Sequence, residues 1–116
     1  MDPGAGLTPD WYNNYETANF PFTLAAGASQ RILPANPLRA YLLVQNKDAA
    51  TDMFIAFNTN ANAYNGILII PEGNYEFIGG ERGGCFVPKG DIYCFSTAAI
   101  DGVAVEGTMP PIIPGR

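Results

Sequence analysis

Short apolar runs recur about every 8–12 positions along this chain, and Gly, Pro or Asn closes most of them. They are Phe22-Thr23-Leu24, Gln30 to Leu33, Ala40 to Asn46, Met53 to Phe57, Ile67 to Ile70, Tyr75 to Ile78, Cys85 to Val87, Ile92 to Ser96 and Val103 to Glu106. No window between breaks holds an amphipathic helix of useful length, and strands do not alternate with helices, so a parallel α/β sheet is not expected. The spacing predicts an all-β fold: a compact β-sandwich or jelly-roll-like domain of about eight short strands. Strand pairing is a long-range property, and the sequence does not choose between the two. Ala40-Tyr41-Leu42-Leu43-Val44-Gln45-Asn46 is the strongest strand and is apolar enough to be central and covered on both sides. Pro88-Lys89-Gly90-Asp91, between Cys85-Phe86-Val87 and Ile92 to Ser96, reads as the clearest hairpin.

A chain of 116 residues supports one hydrophobic core and not two. The expected organisation is an N-terminal arm over residues 1–20, a β-domain over 21–107 and an extended C-terminal arm over 108–116. Pro3, Gly4, Gly6 and Pro9 break any helix in the first arm, yet it carries Trp11, Tyr12 and Tyr15 around Asn13 and Asn14. Flexible tails are poor in such rings. Three readings stay open: the rings fold back on their own domain, dock on a neighbouring subunit or partner, or offer a platform for sugar rings. The C-terminal arm has three prolines and the apolar pair Ile112-Ile113.

Six Lys+Arg against eleven Asp+Glu give a net charge of −5, which argues against nucleic acid as a partner. With no histidine, Ser-His-Asp and Cys-His catalysis and every His-containing metal site are excluded. No run approaches the ~18 apolar residues of a membrane helix. Met1 to Gly6 shows neither the basic nor the apolar region of a secretory signal, so synthesis in a cytoplasm is expected. The two cysteines are then expected to be reduced. In a hairpin symmetric about Lys89-Gly90, Cys85 and Cys94 would stand opposite each other and be able to bridge; a bulge at Gly90 would separate them, and both also suit a core.

The remaining chemistry is sparse. The four-glycine loop Gly79 to Gly84 precedes no helix and carries no phosphate-loop lysine, so it reads as a flexible turn. Asp48 and Asp52 beside Asn46 and Thr51 offer oxygen ligands for calcium, but a solvated turn explains the same residues. Glu72, Glu76 and Glu81 read as surface rather than as a glycosidase pair. Ser29 and Ser96 have no evident base. No enzyme activity, cofactor or metal is expected. Arg31 and Arg39 bracket a proline-rich connector, either paired within the domain or reaching acidic groups on a partner or neighbouring subunit.

The order of elements resembles a group of small β-domains in accessory virion proteins of tailed bacteriophages. The residues that carry it are Arg31-Ile32-Leu33-Pro34-Ala35-Asn36-Pro37-Leu38-Arg39, the strand ending Gln45-Asn46, Gly66 to Glu76, Gly90-Asp91-Ile92-Tyr93-Cys94 and Val103-Ala104-Val105-Glu106-Gly107. The similarity covers about residues 30–107 and departs from the pattern at Glu72, inserted between Pro and Gly, and at Cys94, where Ala is usual. It implies a capsid decoration (cement) protein on the phage head surface, often a homotrimer, whose partner is the major capsid protein. The other parts it is compatible with are a carbohydrate- or receptor-binding fibre module and a head–tail neck component. On this reading the partner-binding residues are Trp11, Tyr12, Tyr15, Arg31, Arg39, Ile112 and Ile113, with the arms as the expected contact elements.

Overall fold

A computed structural model describes residues 16–78 and 87–109. Among them are eight strands: β1 (Glu16–Leu24), β2 (Gln30–Leu33), β3 (Arg39–Asn46), β4 (Met53–Phe57), β5 (Ile67–Ile69), β6 (Asn74–Ile78), β7 (Ile92–Phe95) and β8 (Ile100–Thr108). They form two four-stranded sheets in the orders β1-β8-β3-β6 and β2-β7-β4-β5. Every ladder is antiparallel. The first strand pairs with the eighth, the second with the seventh, the third with the sixth and the fourth with the fifth. That nesting is a long hairpin rolled into two facing sheets, which is the jelly roll. Of the two expected architectures, the pairing selects this one.

Three local expectations are corrected. First, β1 starts at Glu16, inside the segment read as an arm, because Glu16 to Leu24 stays in unbroken register with Thr108 to Ile100. Second, the hairpin around Pro88 to Asp91 is not formed: β7 lies between β2 and β4, so both of its edges are filled, and Val87 is buried outside any strand. Third, β3 is not covered on both sides. Leu42, Val44 and Asn46 point inward and are buried, while Tyr41, Leu43 and Gln45 lie half-buried on the outer face. Its neighbours β8 and β6 close it laterally, not above and below.

The core lies between the sheets. Leu24, Leu42, Val44, Ile100 and Ala104 of the first sheet meet Leu33, Met53, Ile55, Ile69, Ile92 and Cys94 of the second, with Val87 beside them. Period-2 alternation delivers these side chains to one face, and each large one contributes roughly 1.5–3 kcal/mol by leaving water. Phe22, Ile32, Phe57, Ile67 and Phe77 close the rim, Phe57 meeting Phe77 edge-on at 5.5 Å.

Gly102 and Gly73 are among the glycines set by close approach. Gly102 faces Phe22 across the β1–β8 ladder, and a Cβ there would lie 2.5 Å from the end of the phenyl ring. The turn from β5 to β6 runs Ile70-Pro71-Glu72-Gly73, with the Gly73 amide donating to the Ile70 carbonyl at 2.9 Å. The left-handed residue of this turn is Glu72, at φ 61°, while Gly73 is needed because a Cβ would meet Ile70 at 2.8 Å.

Candidate functional site

One end of the sandwich is built around Arg39, which opens β3 and whose side chain is 0% exposed. Its guanidinium reaches four acceptors: Nε to Glu106 Oε2 at 2.7 Å, one terminal nitrogen to the carbonyls of Pro88 (2.7 Å) and Gly90 (3.0 Å), and the other to Pro34 O at 2.8 Å. The planar fork suits this set, because its donors diverge in fixed directions. Lys89 Nζ donates to Arg39 O at 2.6 Å, and Asn36 Nδ2 donates to Thr108 Oγ1 at 3.0 Å. The proline-rich connector, β8 and the 88–90 loop are thereby tied into one unit. Arg31 lies exposed nearby at 3.5 Å from Asp91, whose Oδ1 also accepts from the Ala35 amide at 2.9 Å.

The two ends of the described domain leave from this same region. Glu16 of β1 and Arg39 of β3 both stand opposite Thr108 of β8, and the Met109 amide donates to Leu38 O at 2.9 Å. The segments 1–15 and 110–116 therefore attach side by side, on either side of one ladder.

A second feature is the Asn-rich loop before β5. Asn62 Oδ1 accepts from the amides of Tyr64 and Asn65 at 2.8 and 3.0 Å, while Asn65 Oδ1 accepts from the Asn62 amide at 2.9 Å. Asn65 Nδ2 donates to Asn60 O, and the Ala61 amide donates to Ser29 Oγ. The loop is braced by its own side chains, and it carries Tyr64 99% exposed. Leu68 of β5 and Ile70 just after it are 48% and 60% exposed, and Leu68 pairs with Phe54, whose ring lies 6.4 Å from that of Phe95. These residues give the outer face of the second sheet an apolar stripe.

The opposite end of the sandwich is closed by Asn46 and Asp48. Asn46 Nδ2 donates to Thr51 O and Ile69 O, and its Oδ1 accepts from the Asp48 amide. Asp48 Oδ2 accepts from the amides of Ala50 and Thr51, which hold its carboxyl below the usual range. Of the oxygens considered for calcium, Asp48 Oδ2 is thus engaged by the loop's own amides. Among the described residues, no group of three or more His, Cys, Asp and Glu is close enough to hold a metal. Glu76 accepts from the Tyr41 hydroxyl at 2.5 Å; this bond, burial and the Glu76 charge push the phenol up to about 12. Glu72 occupies the left-handed turn position. Cys94 is a free thiol in the core, and burial pushes it up to about 12. Cys85, Glu81 and the four-glycine loop lie outside the described residues.

The expected partner-binding residues separate into three groups. Trp11, Tyr12, Tyr15, Ile112 and Ile113 lie outside the described residues. Arg31 is exposed and pairs within the domain with Asp91. Arg39 is a correction: full burial and four acceptors inside its own chain leave it no surface for a partner. Its partner Glu106 was not singled out by sequence, although the pattern that carried the resemblance contains both residues. In this chain these two residues form an internal clamp.

Comparison with protein-family models, with characterised proteins and with solved structures finds no match for this chain.

Proposed function

We propose that this chain is a structural virion protein of a tailed bacteriophage that decorates the head, binding across seams between major capsid protein subunits and opposing their separation. The observation that carries the reading is the shared exit of the two terminal segments, fixed by the Glu16–Thr108 pair. A small folded body with two adjoining segments at one end can rest on one subunit while the segments reach its neighbours. Segments beyond the folded body add contact area without enlarging the core, toward the ~1,600 Å² of a standard interface. Trp11, Tyr12, Tyr15, Ile112 and Ile113 supply apolar anchors on those segments. The resemblance over residues 30–107 supports the same reading.

The test is quantitative mass spectrometry of purified particles, together with binding of the protein to shells that lack it. A copy number comparable to that of the main shell protein is expected. Deleting residues 2–14, which spares β1, should abolish binding while the β-domain stays folded. A copy number far below that of the shell protein would move the assignment to a neck or fibre part. Absence from particles would overturn it.

A second reading, glycan recognition by a fibre module, is favoured by one observation: the braced loop that holds Tyr64 in solvent. An exposed ring with amide-bearing neighbours suits a sugar face. Binding to a glycan array that disappears in Tyr64→Ala would establish it.

A further inference from the structure

The jelly roll has four edge strands, β1 and β6 in one sheet and β2 and β5 in the other. Exposed edges invite pairing with other chains, and folds blunt them with short strands, bulges, charges or proline. Three edges here are blunted. β5 has three residues, β2 has four and a register shift between Arg31 and Leu33, and β6 has five with Glu76 at its middle. β1 is the long one: its nine residues hold unbroken register, it has no charge after Glu16, and Pro21 is its one blunting residue. Among the described residues, no strand lies beyond it.

The hydrogen-bond alternation fixes which groups face that open edge. The Asn46 amide donates to Gly73 O on the β6 side, and the Lys47 amide donates to Asp101 O on the β8 side. Odd-numbered residues at the end of β3 therefore point at β8, and by register the odd-numbered residues of β8 point back at β3. The even-numbered residues of β8 bond β1, so the even-numbered residues of β1 bond β8 and the odd-numbered ones face outward. Pro21, which has no N–H, falls on the outward set, as an edge proline must. The open edge thus presents the amides of Thr17, Asn19 and Thr23 and the carbonyls of Thr17, Asn19, Pro21 and Thr23.

Only another extended strand matches such a row. We propose that its occupant is β1 of a second copy of this chain, antiparallel and related by a two-fold axis at Phe20. In that register Thr17 faces Thr23 of the other copy and Asn19 faces Pro21. All three open-edge amides of each strand then find a carbonyl within the described residues. Shifting the axis by one residue toward either end leaves at least one of these amides without a partner inside β1. Antiparallel pairing also places the two Glu16 carboxylates at opposite ends of the ladder, about 27 Å apart. A parallel arrangement would set them side by side. The two Phe20 rings, each 39% exposed, come together as a non-hydrogen-bonded cross-strand pair. The first sheet becomes one eight-stranded sheet across the dimer. This two-fold contact differs from the homotrimer that the family resemblance implies, and it does not depend on the shell reading.

The experiment measures the mass of the purified full chain by light scattering, with two variants. Twice 12.4 kDa is expected for the protein. Asn19→Pro removes an outward amide and no bond to β8, so it should give a monomer with an unchanged circular dichroism spectrum. Phe20→Cys should cross-link into a disulfide dimer under mild oxidation, since the paired Cα atoms would lie within bridging range. Ala18→Cys, which faces Phe22 of the other copy, should not. A monomeric or trimeric protein, a dimer indifferent to Asn19→Pro, or equal cross-linking at positions 18 and 20 would overturn the proposal. Particle copy number does not enter these readouts, so the failure of one reading is distinguishable from the failure of the other.

Discussion

Arg39 and Glu106 stand on the neighbouring strands β3 and β8, and Arg39 Nε donates to Glu106 Oε2 at 2.7 Å with both side chains withdrawn from water. The pair sits where the connector, the 88–90 loop and the roots of both terminal segments converge. Removing one partner of a buried pair leaves the other charge and its lone pairs uncompensated. Arg39→Ala should therefore destabilise the fold by about 3–5 kcal/mol. Arg39→Lys should recover little, because one ammonium cannot reach Glu106 and three separated carbonyls. Urea midpoints check both; a lysine variant close to the parent stability would mean that charge alone, not the fork, holds this end.

Phe22 lies over Gly102, and a Cβ at that position would be 2.5 Å from the ring and 2.9 Å from the Gln45 carbonyl. Gly102→Ala must displace the ring, at a cost of about 1–3 kcal/mol from overpacking. Phe22→Leu shortens the obstacle, so the double variant should be less destabilised than the sum of the singles. A double-mutant cycle with no coupling would show that the glycine answers to the backbone alone.

Much of the architecture is legible in the sequence because period-2 alternation and turn residues are local signals. Leu42, Val44, Ile55, Ile92 and Cys94 are all placed in strands by pattern alone, and all are in the core. The choice of jelly roll is not local. It depends on which strand lies beside which, and an apolar β7 reads equally well as half of a hairpin or as a central strand between β2 and β4. The same limit hid the clamp. Arg39 and Glu106 are 67 residues apart, and an arginine beside prolines looks like a surface residue until β8 is laid against β3. The prominence of Tyr64 rests on local bonds instead, made by Asn62 and Asn65 to residues two or three positions away.

Tyr41 donates to Glu76, and that bond disappears when the phenol ionises. Its pKa is raised from 10.0 to about 12, first by the hydrogen bond, then by burial and the carboxylate charge. A group whose folded pKa is raised contributes stability fully below its unfolded value. That contribution should be lost as pH climbs from 10 through about 12. Absorbance titration of tyrosinate should show a late-ionising component that Tyr41→Phe removes. The loss of stability over the same pH window should shrink in that variant; an unchanged titration curve would refute the assignment.

The Ile70-Pro71-Glu72-Gly73 turn carries its positive φ, 61°, on Glu72. A type II turn places its left-handed residue two positions after the first, where glycine has no steric cost and other residues strain by about 1–2 kcal/mol. Glu72 thus occupies the position that favours glycine, while Gly73 sits at a site governed by Ile70. Glu72→Gly should relieve the strain and lose part of the gain to added freedom in the unfolded chain. The net expectation is stabilisation of about 0.5–1 kcal/mol. Glu72→Ala, with a Cβ and no carboxylate, should gain nothing. Thermal melts of the two variants separate backbone strain from side-chain charge: equal gains in both would place the effect on the carboxylate instead.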